Sequence, residues 1–275
     1  MIREINYDYA TLGISTNQTT NSVKMVILKH IIMNEEFADI QYTPIKEYKY
    51  DRWFSEVQYN GKTLSDSERK KLISVMDDTI AKYSEGLPLM TSVLENTKEQ
   101  HDEYHEIDRI VVSVCLFVII TMIDSMVAGK YFILADRDYD RRFMRGKLFV
   151  ILNEGFKKLY GFNESSHKKS EWDRLLHIMK YFPEVINRQY QELTYLLEKQ
   201  SHTSSWWKDE RNYETHIDAE KLYKSRQEEI IESKVMMDSL KLFETLLAVS
   251  HFLENVHACL FNFLVGKYRR GELSE

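Results

Sequence analysis

Glycine and proline are scarce in this chain, nine and three among 275 residues, so few positions force a helix to stop. The long segments carry apolar residues at helical rather than alternating spacing, and no stretch reads as a convincing strand. An all-α fold, a helical bundle, is the expectation. Cysteine is as sparse. Cys115 and Cys259 both sit in apolar runs, where a thiol behaves as a small buried hydrophobe, and the two make no disulfide framework. There is no Cys-x-x-Cys pair and no Walker-type or dinucleotide glycine loop, so the common frames for a metal or nucleotide are missing and no cofactor is expected. The N-terminus, Met1-Ile2-Arg3-Glu4-Ile5-Asn6-Tyr7-Asp8, lacks the cationic-then-apolar order of a secretory signal, which points to the cytoplasm. Positive charge is also in deficit. A formal net charge of −6 argues against a basic coat for non-specific nucleic-acid binding and confines any RNA contact to a local patch.

Apolar and helix-forming residues are plentiful. With 43% hydrophobic residues the chain can bury a substantial core, in one large domain or two small ones. Residues up to about Asn21 are polar and aperiodic and read as an irregular arm. A helix is expected from about Ser22 to Asp39, where Val23, Ile27 and Ile31 share a face ahead of Pro44, while Tyr48 to Tyr59 is ambiguous. Ser65-x-x-Glu68 is a capping box opening a helix through Tyr83, which Gly86 and Pro88 are expected to break.

A long helix is expected from near Thr97 to about Ala135, and its centre, Ile110 to Ile123, is apolar all round and so expected to be buried all round. That run is short for a membrane span and Asp124 closes it, so the reading is a core helix without a membrane partner. A polar turn, Asp136 to Asp140, leads to a helix from Arg141 to Tyr160 with Met144, Leu148 and Ile151 on one face, stopped by Gly161. Ser170-x-x-Asp173 caps the next helix. Its stripe, Leu175, Met179, Phe182, Ile186, Leu193 and Leu197, passes Pro183 without losing step, which predicts a kink rather than a break. The last helix carries Leu242, Leu246, Val249, Leu253, Val256, Leu260 and Phe263 at alternating four- and three-residue steps and ends near Gly266. That stripe can serve the core, which is the plainer reading, or a partner subunit.

Three kinds of constellation bear on chemistry: a basic segment, two candidate metal pairs and one Arg/His motif. Arg137, Arg141, Arg142, Arg145 and Lys147 crowd one short segment, but Asp136, Asp138 and Asp140 are interleaved with them. A salt-bridged turn explains them better than an RNA backbone contact, for which Tyr139, Trp206 and Trp207 would be the stacking partners or, for the tryptophans, packing anchors. His101 and His105 have Asp102, Glu103 and Glu106 nearby, at a spacing that suits either a metal or a solvated helix start. Glu254-x-x-His257 lacks the second pair that a di-iron bundle requires, so no metal site is assigned.

The third group is Arg211-Asn212-x-x-x-His216, which opens just after Trp206-Trp207 in a segment free of Gly and Pro through Val265. On a helix it sets a permanent cation, an amide and an imidazole near one face. A guanidinium can fork two donors onto a phosphoryl group, and a histidine can take and return a proton near neutrality. The spacing resembles the Arg-x(4–6)-His signature of the HEPN superfamily, in the form where Asn follows the Arg. The helix order from about Thr97 to Arg270 is similar to a HEPN bundle, so residues 97–275 are assigned to it and residues 1–96 to an N-terminal arm and helical extension.

The resemblance implies a metal-independent endoribonuclease of a prokaryotic defence or toxin type, acting through the RNA 2′-hydroxyl with two subunits pairing their motifs. His216 is then the acid/base, Arg211 stabilises the phosphorane, and Asn212 orients the phosphate or His216. Asp209 and Glu210 depart from a cationic site and set negative charge beside His216. RNA, a second copy and an antitoxin or other protein are the implied partners. The rival is a catalytically silent helical module that dimerises or binds a partner, with Arg211 paired to Asp209 or Glu214 and His216 merely solvated.

Overall fold

The computed structural model describes residues 63–101, 103–162, 164–203 and 230–269, together with positions 220 and 223. The expected arm, the helix from Ser22 to Asp39 and the Tyr48–Tyr59 stretch lie outside the described residues. All regular structure among the described residues is helical: α1 Asp66–Asn96, α2 Glu103–Leu134, α3 Asp138–Leu159, α4 Glu164–His167, α5 Glu171–Met179, α6 Glu184–Thr203 and α7 Glu232–Arg269.

Local signals set several ends. The Ser65 hydroxyl accepts from the Glu68 amide while the Glu68 carboxylate accepts from the Ser65 amide at 2.7 Å, a complete capping box. The Ser170 hydroxyl likewise accepts from the Asp173 amide at 3.1 Å. Gly161 adopts φ +90°, where a side chain is disfavoured, and α3 ends just before it. Its start is earlier than Arg141, because Asp138 and Asp140 sit well in the first turn, against the positive end of the helix dipole.

Both prolines among the described residues act against expectation. Pro88 does not break α1, which runs through Gly86 and Pro88 to Asn96, while Thr97 caps α1 instead of opening the next helix. Antiparallel packing along α2 explains this: Arg69 meets the Ile133 carbonyl, Met76 lies against Gly129, and Arg109 donates to the carbonyls of Thr97 and Gln100. That contact holds both ends of α1, and Pro88 itself lies on an exposed part of the helix. Pro183, by contrast, is a break rather than a kink. The Tyr181 and Phe182 amides close tight turns onto Ile178 and Met179, and a new helix starts with the Ile186 and Asn187 amides donating to the Pro183 carbonyl. The apolar stripe survives the break. Leu175, Met179, Phe182, Ile186, Leu193 and Leu197 are all buried.

The core forms around α2. α7 is antiparallel to it as well, since Ile107 and Leu260 share one cleft while Gly129 and Met236 line a small internal void at the other end. α3 completes the surround: a methyl on Gly155 would stand 2.4 Å from Thr121 Cγ2, so the Thr121 side chain occupies the space that any Gly155 side chain would need. Leu242, Leu246, Val249, Leu253, Val256 and Leu260 of α7 are all buried in this core, and α7 continues past Gly266 to Arg269. Trp172 stacks on Tyr190 with ring centroids 4.7 Å apart and meets Phe252 of α7, pinning α5 and α6 to it.

α2 itself is not buried all round, as Ile120, Val127, Tyr131 and Leu134 are exposed. Nor is it too short to span a bilayer. His105–Leu134 is the one segment among the described residues long and apolar enough to do so, and half of its apolar window is buried against the other helices.

Candidate functional site

Trp206, Trp207, Arg211, Asn212 and His216 lie outside the described residues. α6 ends at Thr203 and α7 begins at Glu232, and the motif lies between them in the sequence. The described part of the molecule therefore shows the frame on either side of the motif.

The frame closes on a buried carboxylate. Glu232, 3% exposed at its side chain, receives Arg69 Nη2 at 2.7 Å on each oxygen and Arg141 Nη1 at 2.8 Å. The Leu64 amide donates to it at 3.2 Å. The same arginines cap the end of α2, Arg69 donating to the Ile133 carbonyl at 3.1 Å and Arg141 to that of Ala135 at 2.9 Å. Cations belong there, at the negative end of a helix dipole. One cluster thus joins the starts of α1, α3 and α7 to the end of α2. No local signal announced it, since its partners are separated by 163 and 91 residues or thereabouts in a chain with many carboxylates.

This placement sorts the cations proposed for RNA. Arg141 is engaged by Glu232, Arg142 pairs with Asp138 at 3.1 Å, and Arg145 is 7% exposed. Arg137 and Lys147 are exposed, and the Lys147 ammonium lies 5.2 Å from the Phe143 ring centroid. Within the Asp-interleaved segment Arg142 pairs with Asp138, whereas Arg141 reaches out of it to Glu232, and from Asp138 onward the segment is helix rather than turn.

Sequence reasoning missed a cleft of about 190 Å³ between Glu103 and Ile107 of α2, Tyr181, Phe182 and Pro183 at the break, and Cys259 and Leu260 of α7. The Tyr181 hydroxyl donates to Glu103 at its mouth, and the Lys180 ammonium sits 4.6 Å from the Tyr181 ring centroid. The hydrogen bond to Tyr181, with the Glu103 charge nearby, raises the Lys180 pKa. Cys115 is chemically quiet by contrast, because burial pushes its thiol up to about 12, with the Glu254 charge adding to it.

Among the described residues no three His, Cys, Asp or Glu side chains gather as a metal would require. Glu254 is met by His251 Nδ1 at 3.1 Å. No family model, curated relative or solved structure matches the chain.

Proposed function

We propose that the protein is a HEPN-like, metal-independent endoribonuclease of a prokaryotic defence or toxin type, with Arg211, Asn212 and His216 as its site. The observation that carries the reading is the motif itself, Arg211-Asn212-x-x-x-His216, in a chain whose described residues fold as an all-α bundle. In the proposed reaction His216 takes the proton of an RNA 2′-hydroxyl as the 2′ oxygen attacks phosphorus. The bond from phosphorus to the 5′ oxygen breaks, that oxygen leaves with a proton, and a 2′,3′-cyclic phosphate remains. Arg211 neutralises the phosphorane and Asn212 orients it. A second copy supplies the second acid/base, and an antitoxin or other protein partner restrains the activity in the cytoplasm.

The burial of Arg145 and the pairing of Arg141 and Arg142 favour a narrower RNA contact, through Arg137, Trp206 and Trp207 with the motif. The same burial is what the catalytically silent dimerisation or partner-binding module would show. RNA cleavage by the purified chain with and without EDTA separates the two. The ribonuclease reading expects chelator-resistant cleavage, cyclic phosphate ends, and a loss of roughly 10²-fold or more in His216→Ala. Arg211→Lys should also be poor, because one ammonium cannot reproduce a two-point grip. An active wild type whose His216→Ala variant keeps its rate moves the function elsewhere.

A further inference from the structure

Among the described residues α2 packs against α1, α3 and α7, and against α5 over a shorter stretch, and one side is left open by them. Ile120, Asp124, Val127, Tyr131 and Leu134 follow one another at steps of four, three, four and three, the spacing of a helix-packing seam. All five are exposed. The four apolar or aromatic members range from 36% to 53% exposed, a density of large side chains that solvated helices rarely present in register. The only two polar groups on the stripe are the Asp124 carboxylate, an acceptor, and the Tyr131 hydroxyl, a donor. Neither finds a partner within its own chain among the described residues. Partial desolvation at its base raises the Asp124 carboxyl above its ordinary range.

We propose that this stripe is where a second copy of the chain packs antiparallel, centred on Val127, with Asp124 of each copy accepting a hydrogen bond from Tyr131 of the partner subunit. The helix geometry fits such an exchange. At about 1.5 Å per residue Asp124 lies about 4.5 Å before Val127 and Tyr131 about 6 Å after it, so reversing one helix about Val127 brings them to nearly the same height. At roughly 100° per residue both also fall on the same flank of the stripe, about 40–60° from Val127, the flank that a two-fold axis sets against itself. Ile120 of one copy then meets Leu134 of the partner subunit at each end of the seam, close to its midline. A lipid surface fits less well: Ile120 to Leu134 spans only about 21 Å, against about 30 Å of hydrocarbon, and Asp124 interrupts it. The α7 stripe that the sequence offered as an alternative interface is spent on the chain's own core. This pairing would supply the second copy that the ribonuclease reading needs, but its test reads mass and not cleavage, so the two can fail separately.

The test is light scattering on the full chain over a dilution series, with wild type, Val127→Glu and Tyr131→Phe, beside circular dichroism. The expected result is a dimer whose dissociation constant rises at least about tenfold in Val127→Glu and several-fold in Tyr131→Phe, with the helical signal unchanged because both positions are exposed. Val127→Cys, on the two-fold axis, should give a covalent dimer under mild oxidant, where Lys70→Cys on exposed α1 and the wild type do not. A full chain that stays monomeric overturns the proposal, as does a dimer indifferent to Val127→Glu. Flotation of a monomer with phosphatidylcholine/phosphatidylglycerol vesicles, lost in Val127→Glu, assigns the face to lipid and overturns it as well.

Discussion

Arg69 Nη2 stands 2.7 Å from both carboxylate oxygens of Glu232, and the two residues belong to the first turns of helices at opposite ends of the described chain. With Arg141 on the same carboxylate, the contact fixes where α7 begins. The bundle is therefore closed by charge at one end and by the Trp172–Tyr190–Phe252 aromatic cluster elsewhere along α7.

Glu232→Ala should accordingly be among the more damaging single changes. It leaves two guanidinium groups facing each other in a mostly buried site, and breaking such a pair by removing one partner costs about 3–5 kcal/mol. Urea unfolding is the measurement. A midpoint shift worth less than about 1 kcal/mol would show that water reaches the cluster and that the salt bridge is ornamental.

The α2–α3 contact makes a sharper geometric claim. A methyl on Gly155 would lie 2.4 Å from Thr121 Cγ2, and the Thr121 hydroxyl is already committed to the Phe117 carbonyl at 2.9 Å. Gly155→Ala should therefore cost about 1–3 kcal/mol through overpacking. Thr121→Ser removes the offending methyl and keeps the hydroxyl, so the double variant should recover most of the loss. A double variant no better than Gly155→Ala alone would place the strain elsewhere.

How much of this was legible beforehand follows from range. Ser65-x-x-Glu68, Ser170-x-x-Asp173 and Gly161 were readable because a cap is decided by three or four consecutive residues. Pro88 and Pro183 were misread because the outcome at a proline depends on what lies alongside. α1 has α2 along its whole length to hold it through Pro88, whereas turns at Tyr181 and Phe182 unwind the chain before Pro183. The α2 centre looked buried all round because all but Ser113 and Thr121 there are apolar, and composition cannot reveal that the described neighbours leave Ile120 exposed. Within its own segment Arg141 has aspartates to pair with, and only the fold brings Glu232 to it. The motif from Arg211 to His216 remains a reading of spacing, since it lies outside the described residues.

Thiol chemistry should divide the two cysteines. With its thiol raised to about 12 from an ordinary 9.0, Cys115 holds roughly a thousandfold less thiolate near pH 8, and thiolate is the reacting species. Cys259 lines the cleft beside Tyr181 and Phe182. In native protein, iodoacetamide should therefore label Cys259 well ahead of Cys115, with both reacting in urea. Mass spectrometry of the digested protein reads the order, and equal native rates would mean that α2 opens locally at Cys115.

The capping box carries a pH signature. Hydrogen bonds from the Ser65 side chain and backbone lower the Glu68 pKa below its ordinary 4.5, so the folded state prefers the carboxylate. A depressed acid contributes stability that is fully present above the unfolded value and is lost as pH falls through the folded one. Ser65→Ala should lower the melting temperature at pH 7, and the gap from wild type should narrow in acid, below pH 4.5. A gap that does not change with pH would mean that the hydroxyl acts alone.

Arg137 and Arg141 give the test that bears most directly on RNA, because the two occupy one basic segment and opposite environments. Arg141 spends its guanidinium on Glu232 and the Ala135 carbonyl, while Arg137 is exposed at the start of α3. Arg141→Ala should cost about 1–2 kcal/mol, less than Glu232→Ala, because Arg69 and the Leu64 amide still hold the Glu232 carboxylate. Any loss of RNA binding in that variant should disappear once signal is corrected for the folded fraction. Arg137→Ala should leave stability within about 0.5 kcal/mol, the usual range for an exposed substitution. If Arg137 touches an RNA phosphate, its removal should weaken binding by a similar factor for every sequence and reduce the slope of log affinity against log salt by about one. Titrations of both variants at several salt concentrations make the comparison. An Arg141→Ala variant that is fully folded yet binds RNA poorly would return Arg141 to the binding surface and would contradict the ion pair that organises this end of the bundle.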